Sequence, residues 1–255
     1  MTWKKALIGG TAAVVLAVAA GIAGWWFLIR EDAHLATDPP SIPQSLLTTA
    51  TGTPGAGSTT AANNTASAAP TTSAAGTLTF QVNSSNSEAD YFVNEELASV
   101  GIPSTAKGTT RNVSGTLYLT ADGAALAPAA TSQFSVGLTS LTSDKSMRDS
   151  RVQQALETGR YPTSTFTITS VSGYDPSLPE AQQQSLQMTG ILDLHGVKKQ
   201  VTWDVKAYRQ SNVISALATV TVSFADFNIT APTFGGLVSI DDKATLQVQL
   251  IAQQA

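Results

Sequence analysis

The chain has no cysteine and few charged residues, and each shortage excludes a class of chemistry. Without cysteine among its 255 residues, it can form no disulfide, no thiolate nucleophile and no zinc site built from thiolates. Charged residues make up 13% of the chain, against about 25% in ordinary globular proteins. The basic residues are scattered and the formal net charge is -4, so nucleic acid is not an expected partner.

Part of this shortage of charge comes from an apolar run over residues 6–29, which contains no charged side chain. A helix of that length rises about 36 Å, enough to cross a bilayer with some tilt. Two lysines precede the run, and the sequence Trp-Trp-Phe lies near its far end. This pattern predicts a transmembrane anchor over residues 1–32 that crosses the cell membrane once. The N-terminus would then be cytoplasmic and all later residues extracytoplasmic.

A cleaved signal peptide is the alternative to a retained anchor. The sequence Ala17-Val18-Ala19 resembles the small-residue pattern at which such peptides are cut. The apolar run continues well beyond that point, to Ile29, which is too far for the apolar region of a typical signal peptide. We therefore favour the anchor, while the sequence alone leaves cleavage open.

The rest of the shortage comes from residues 33–76, which are rich in Ser, Thr, Ala, Pro and Gly. Such a composition buries too little apolar surface to offset the entropy of ordering the chain. The segment is therefore predicted to be a disordered linker. A flexible coil of this length spans about 35–40 Å on average, which would hold the following domain on a loose tether.

Residues 77–255 are the predicted folded domain, in which eight or nine segments alternate apolar and polar residues. The clearest pair forms a hairpin over residues 188–205, with residues 195–199 in its loop. The alternation indicates an antiparallel sheet with one buried face. A sheet of so many strands closes into a barrel or splits into a sandwich, and alternation alone does not choose between them. One segment, residues 144–158, has helical spacing and capping signals.

Few residues of the domain are suited to catalysis or metal binding. We interpret His195 as a turn residue, because no second histidine of the domain could share a metal site or a triad with it. Glu95 and Glu96, like Asp241 and Asp242, are interpreted as solvated charges, since neighbouring strand residues point to opposite faces. No enzyme activity, metal or cofactor is therefore expected.

Several segments, taken together, resemble the YceI family over residues 78–252. They are LTSDKSMRDS with RYPTSTF after the predicted helix, TGILDLHGVKKQVTW in the hairpin, SFADFNITAP and VSIDDKATLQVQL. The segment EADYFVNEEL resembles the membrane-tethered branch of that family. The resemblance implies an all-β fold, an eight-stranded antiparallel barrel of lipocalin type with one short helix. It also implies a hydrophobic tunnel for a long isoprenoid or fatty-acid-like chain, no enzyme activity and, in some members, a homodimer.

The inward strand positions would line such a tunnel. Small residues there, such as Gly115, Gly190 and Ala244, would leave room for a chain, whereas a solid core packed by aromatic residues is the alternative. Arg148 is a candidate to hold a ligand head group by charge-assisted hydrogen bonds. An ion pair that fixes the helix on the barrel is the favoured alternative for that arginine. The predicted ligand-binding residues are Phe134, Val136, Leu138, Phe166, Ile168, Leu192, Trp203, Val205, Ala216, Ala218, Val222, Phe224, Leu246 and Val248.

These observations predict an anchored, extracytoplasmic protein that sequesters an apolar lipid chain in a barrel. The alternative is a non-enzymatic cell-surface module, structural or interacting with a partner, whose barrel core is filled. Neither interpretation identifies the ligand or the oligomeric state from the residues alone.

Overall fold

The computed structural model describes residues 33–47, 76–97, 102–232 and 238–255. The predicted anchor over residues 6–29 lies outside these ranges, as does most of the predicted linker. Within the ranges described, no helix is both long and apolar enough to span a membrane.

The described residues form eleven strands, two short α-helices and two 3₁₀ turns. The strands are β1 (Thr77–Val82), β2 (Glu88–Leu97), β3 (Ile102–Thr110), β4 (Val113–Thr120), β5 (Gln133–Gly137), β6 (Thr163–Ser172), β7 (Gln184–Leu194), β8 (Val197–Gln210), β9 (Val213–Ser223), β10 (Val238–Ile240) and β11 (Lys243–Gln254). The helices are α1 (Gln44–Leu47) and α2 (Ser146–Ala155), and the 3₁₀ turns are Ser84–Asn86 and Ala225–Phe227.

Eight of the strands form a closed antiparallel barrel in the order β1-β4-β5-β6-β7-β8-β9-β11. The barrel closes where β1 pairs with β11, with Phe80 opposite Gln254 and Val82 opposite Ala252. Most barrel neighbours follow one another along the chain, as antiparallel strands joined by short connections do. The predicted eight-stranded barrel is confirmed, and so is its short helix, because α2 lies within the predicted residues 144–158.

Three further strands extend the wall at the end of the barrel that α2 occupies. The turn at Ser84–Asn86 separates β1 from β2, and β2 then pairs with the first half of β11. Strands β3 and β10 both pair with β2, and Thr109 of β3 bridges to Thr142. We did not predict β3, because its sequence IPSTAKGTT has no apolar alternation.

The central hairpin is tighter than its sequence suggests. Leu194 is opposite Val197, so that His195 and Gly196 alone form the turn. Both have positive φ, 54° and 72°, as a two-residue turn requires when its twist matches that of the strands. The residues after Gly196 that we assigned to the loop belong to β8.

Residues 33–47 lie along the outside of the barrel, and we call this segment the strap. The Ala33 amide donates to the Thr105 carbonyl at 3.1 Å. The Ala36 amide donates to Oε1 of Gln247 at 2.8 Å, and the amide nitrogen of Gln247 donates back to the Ala36 carbonyl at 3.0 Å. At its C-terminal end the strap packs Ile42 against the outer face of β9 and β11.

The predicted disordered linker is therefore wrong for residues 33–47. A composition that buries little apolar surface within the segment does not exclude contacts with the rest of the fold. The outer barrel face supplies the missing apolar contacts, through Val213 and Ile251, and polar partners for the strap backbone. Order in this segment depends on the rest of the fold.

Candidate ligand cavity

A cavity of about 800 Å³ runs through the barrel. The inward side chains of the strands line it. It reaches α2 at one end, which we call the helix end, and the loops after β4 and β6 at the other, which we call the far end. Small-molecule sites typically enclose about 300–1,000 Å³ behind mostly apolar walls. The volume is inconsistent with the alternative of a filled core.

Every predicted ligand-binding residue except Ile168 lies on the wall of this cavity. Ile168 is buried in the same apolar cluster but does not reach the open space. The ladder between β6 and β7 shifts register between Ile168 and Ser170, and beyond the shift Val171 lines the cavity instead. Contact of the wall residues with a ligand stays a prediction.

The small inward residues do not all create space. The Phe134 ring lies against Gly115, where an added Cβ would be 2.6 Å from ring carbon Cδ1. The Phe166 ring covers Gly190 in the same way, with its Cζ 2.7 Å from such a Cβ. For these two glycines, the prediction that a small residue leaves room for a chain is wrong, because an aromatic ring occupies the space beside each of them. Ala244 does line the cavity, as do the alanines of β9.

A buried ion cluster lies at the helix end of the cavity. The Arg148 side chain is 5% exposed, with its Nη2 3.3 Å from Oε2 of Glu95 and its Nη1 2.6 Å from Oδ1 of Asp144. The ion pair favoured from the sequence is therefore present, and it joins α2 to β2. Because Arg148 also lines the cavity, its role toward a head group stays a prediction.

Burial changes the pKa values of the carboxyl groups in this cluster. Glu95 is 4% exposed, so its interpretation as a solvated charge is wrong. Desolvation raises the pKa of Glu95 above its ordinary value even though Arg148 acts to lower it. Partial burial would also raise the pKa of Asp144, but hydrogen bonds from Lys145 and Arg148 outweigh it and hold that pKa below its usual range. Asp241 and Asp242 are exposed, as expected.

His195 does more than form a turn. Its Nδ1 lies 3.0 Å from the carbonyl oxygen of Phe227, which can only accept, so Nδ1 is the donor. Its ring meets the edge of Tyr161 at 4.9 Å between centroids, and its Nε2 is 3.7 Å from Oε1 of Glu157. The ring thus ties the hairpin to the segment after α2. No group of three acidic or histidine side chains in the described ranges could hold a metal ion.

Sequence reasoning missed the far end of the cavity. The loop between β6 and β7 contributes Tyr174 and Leu178, which line the cavity and are among the exposed large apolar side chains. Arg209 of β8 lines the same end, and its guanidinium carbon lies over the Phe80 ring, 5.3 Å from the ring centroid. Tyr174 and Leu178 lie in a loop, which has no periodicity, so no sequence signal placed these two residues at the cavity.

Comparison with known proteins gives two kinds of match. The family model of the YceI-like domain matches residues 80–252, which is more than half of the chain. A polyisoprenoid binding domain from Saccharophagus degradans, implicated in plant cell wall breakdown, is similar with a TM-score of 0.54 and 17% identity. That match covers 70% of this chain and 99% of the other.

A second solved structure, BcnA of Burkholderia cenocepacia, has a TM-score of 0.50 and 17% identity, covering 68% of this chain and 99% of its own. At such identities the two structures show that the fold is shared, and nothing beyond it. No curated protein matches the chain.

Proposed function

The chain belongs to the YceI-like domain family, and we propose that it binds a long apolar lipid inside its barrel. The observation that carries this proposal is the cavity of about 800 Å³, whose walls are the apolar faces of the strands. The related Saccharophagus degradans domain is described as polyisoprenoid binding. A polyisoprenoid is accordingly the first ligand class to test, and a fatty-acid-like chain is the second.

The mechanism is sequestration rather than turnover. Moving a chain from water into the cavity is favourable by about 0.8 kcal/mol for each buried methylene. The aromatic wall adds rigid apolar surface, as where Phe166 and Trp203 meet edge to face at 5.8 Å between ring centroids. Such a site needs no catalytic group, and the protein acts by holding its ligand away from water.

The ion cluster at the helix end limits the choice of head group. Arg148 already faces the two carboxyl groups of Glu95 and Asp144, so the cluster has no surplus of positive charge for an anion. A neutral head group that exchanges hydrogen bonds with these side chains fits this end better than a phosphate does. Arg148 remains the head-group candidate on that basis.

The location of the protein is also part of the proposal. The uncharged run over residues 6–29 supports a single-pass anchor in the cell membrane, with the barrel on the extracytoplasmic side. An anchored lipid-binding barrel would stay close to the membrane that supplies its ligand.

Native mass spectrometry tests the lipid proposal. The fragment should begin at residue 33, because the strap is part of the fold, and should be produced in its host and then extracted with solvent. We expect an additional mass that passes into the apolar phase. An unliganded mass that stays unchanged with added polyprenol would contradict the proposal and favour a surface interaction module. The same spectrum measures whether the barrel is a homodimer, which stays a prediction.

A further inference from the structure

The strap has a direction along the barrel. It begins at the helix end, because Ala33 is bonded to Thr105 of β3, and Thr105 is opposite Asn94, the neighbour of Glu95 in the ion cluster. It then crosses β11 at Gln247.

The strap finishes at the far end of the barrel. The Pro40 carbonyl accepts hydrogen bonds from the hydroxyl groups of Tyr208 and Ser215. Ile42 packs against Val213, the first residue of β9, and against Ile251 near the end of β11. The N-terminal end of the strap is therefore fixed at the helix end of the barrel, and its C-terminal part at the far end.

Very little chain separates the start of the strap from the predicted anchor. The uncharged run ends at Ile29 and the strap begins at Ala33. Fully extended, the connection between them reaches at most about 14 Å. A coil formed by the whole segment of residues 33–76 would instead span about 35–40 Å, so the docked strap shortens the tether to less than half.

Residues 48–75 do not lengthen this connection. The chain enters them from Leu47, at the end of the strap, and leaves them at Gly76 before β1. Thr77 is opposite Thr120 at the end of β4, which again is the far end of the barrel. Both ends of residues 48–75 are thus attached to the far end, and their length does not set the distance from the barrel to the anchor.

We infer that the strap holds the barrel against the membrane surface with the helix end of the cavity toward the lipid. This inference rests on the anchor in the proposed function and deepens it by assigning the cavity end that exchanges lipid with the bilayer. Met147 of α2, which is 68% exposed, lies on the membrane-facing side. The far end, where Leu47 and Gly76 lie, faces away.

Paired spacer insertions test this inference in the full chain. A flexible Gly/Ser spacer of about 20 residues, long enough to act as a coil, is inserted either between Asp32 and Ala33 or after Thr60. If the strap is the attachment, only the first insertion moves the barrel away from the membrane. If residues 33–76 are a loose tether, both insertions have the same effect.

Fluorophores at single cysteines measure the distance, because the chain has no cysteine of its own. Met147→Cys places a label at the helix end, and Gln183→Cys places a matched label on an exposed residue at the far end. The labelled chains are placed in nanodiscs of phosphatidylethanolamine and phosphatidylglycerol that contain a lipid with a nitroxide on its head group. We expect several-fold stronger quenching of the label at position 147, lost with the first spacer and kept with the second.

Equal quenching of the two labels, stronger quenching at position 183 or equal effects of the two spacers would overturn the inference. An intact mass that lacks residues 1–32 would overturn it as well. Thermal unfolding of each variant verifies that the barrel is folded. Lipid extracted from the same samples separates the two proposals. Bound lipid with equal quenching of the two labels would support lipid binding and contradict the orientation. Stronger quenching at position 147 without bound lipid would support the orientation and contradict lipid binding.

Discussion

The inner and outer faces of the barrel wall contrast in how they are covered. Inner residues surround a cavity of about 800 Å³, and Leu246 on this face is only half-buried. Where the strap crosses the outer face, Ile251 and Gln247 are each 1% exposed. In this part of the barrel, the face with the more polar sequence is therefore the more closely packed one.

The contrast shows that apolar alternation reports which face avoids water, and not how completely a face is packed. An inner face can remain partly open because a cavity shields it from bulk water. An outer face can be fully covered by a segment from elsewhere in the chain. Val213 and Ser215 confirm the second case, since both are 0% exposed under the strap.

Replacing Arg148 by methionine should have the largest effect on stability. It leaves the buried carboxyl group of Glu95 without its cation, and loss of one partner from a buried pair costs about 3–5 kcal/mol. Urea unfolding at neutral pH of the fragment beginning at residue 33 measures this loss. The double variant Arg148→Met/Glu95→Gln is the control and should recover most of it.

The stability lost in the Arg148→Met variant should depend on pH. Desolvation already raises the pKa of Glu95, and removing Arg148 removes an interaction that lowers it. The folded variant then binds more protons than the unfolded chain between the unfolded and folded pKa of Glu95, so its stability falls as pH rises through that window. The loss should shrink in acid, and a loss that is equal at every pH would contradict the assignment.

The next largest effect tests the packing of the two faces directly. Ile251→Ala should cost about 2–5 kcal/mol, because its side chain is closely packed under the strap. Leu246→Ala, on the same strand but facing the cavity, should cost less because open space already borders that side chain. Urea midpoints of the two variants measure the difference. A greater loss for Leu246→Ala would reverse the comparison.

A smaller effect is expected for the polar contact between strap and barrel. Gln247→Ala removes both hydrogen bonds to the backbone N–H and C=O of Ala36 and should cost about 1–3 kcal/mol. Gln249→Ala, at the next outward position of the same strand, is the matched control and should change stability by less than about 0.5 kcal/mol. Equal losses in thermal unfolding would show that the strap does not cover this face in solution.

The smallest effect on stability is expected inside the cavity. Ala218→Phe directs a ring into open space, so the cost should stay below the roughly 1–3 kcal/mol of overpacking a filled core. The amount of extracted lipid per protein should fall, whereas Thr202→Phe on the exposed outer face should leave it unchanged. A full overpacking penalty, or unchanged lipid in Ala218→Phe, would contradict an open cavity.

Much of the barrel was predictable because strand faces are local. The period of two placed most strands, and the hairpin turn followed from Gly196 and its apolar flanks. Strand β3 was not predictable in this way, since pairing with β2 and not its own pattern makes it a strand. Leu217 and Ile251 were a usable signal that we did not interpret: they are apolar residues on outward positions, and both are buried.

The candidate site was predictable only in part. Alternation identified which residues face inward, and nearly all of them line the cavity. It did not distinguish Gly190, whose space an aromatic ring fills, from Ala218, which borders the open volume. It also gave Glu95 no partner, because the arginine that pairs with it lies 53 positions away in the chain.

By itself the sequence determined the faces of the strands, the helix and the place of the hairpin, because each depends on residues within a few positions of one another. Only the tertiary structure decided that the barrel closes around a cavity, that Arg148 and Glu95 pair, and that residues 33–47 are ordered. Ala36 and Gln247 are 211 positions apart, and no local pattern encodes such a contact. The strap is ordered because a completed barrel surface offers apolar and hydrogen-bonding partners that the segment lacks on its own.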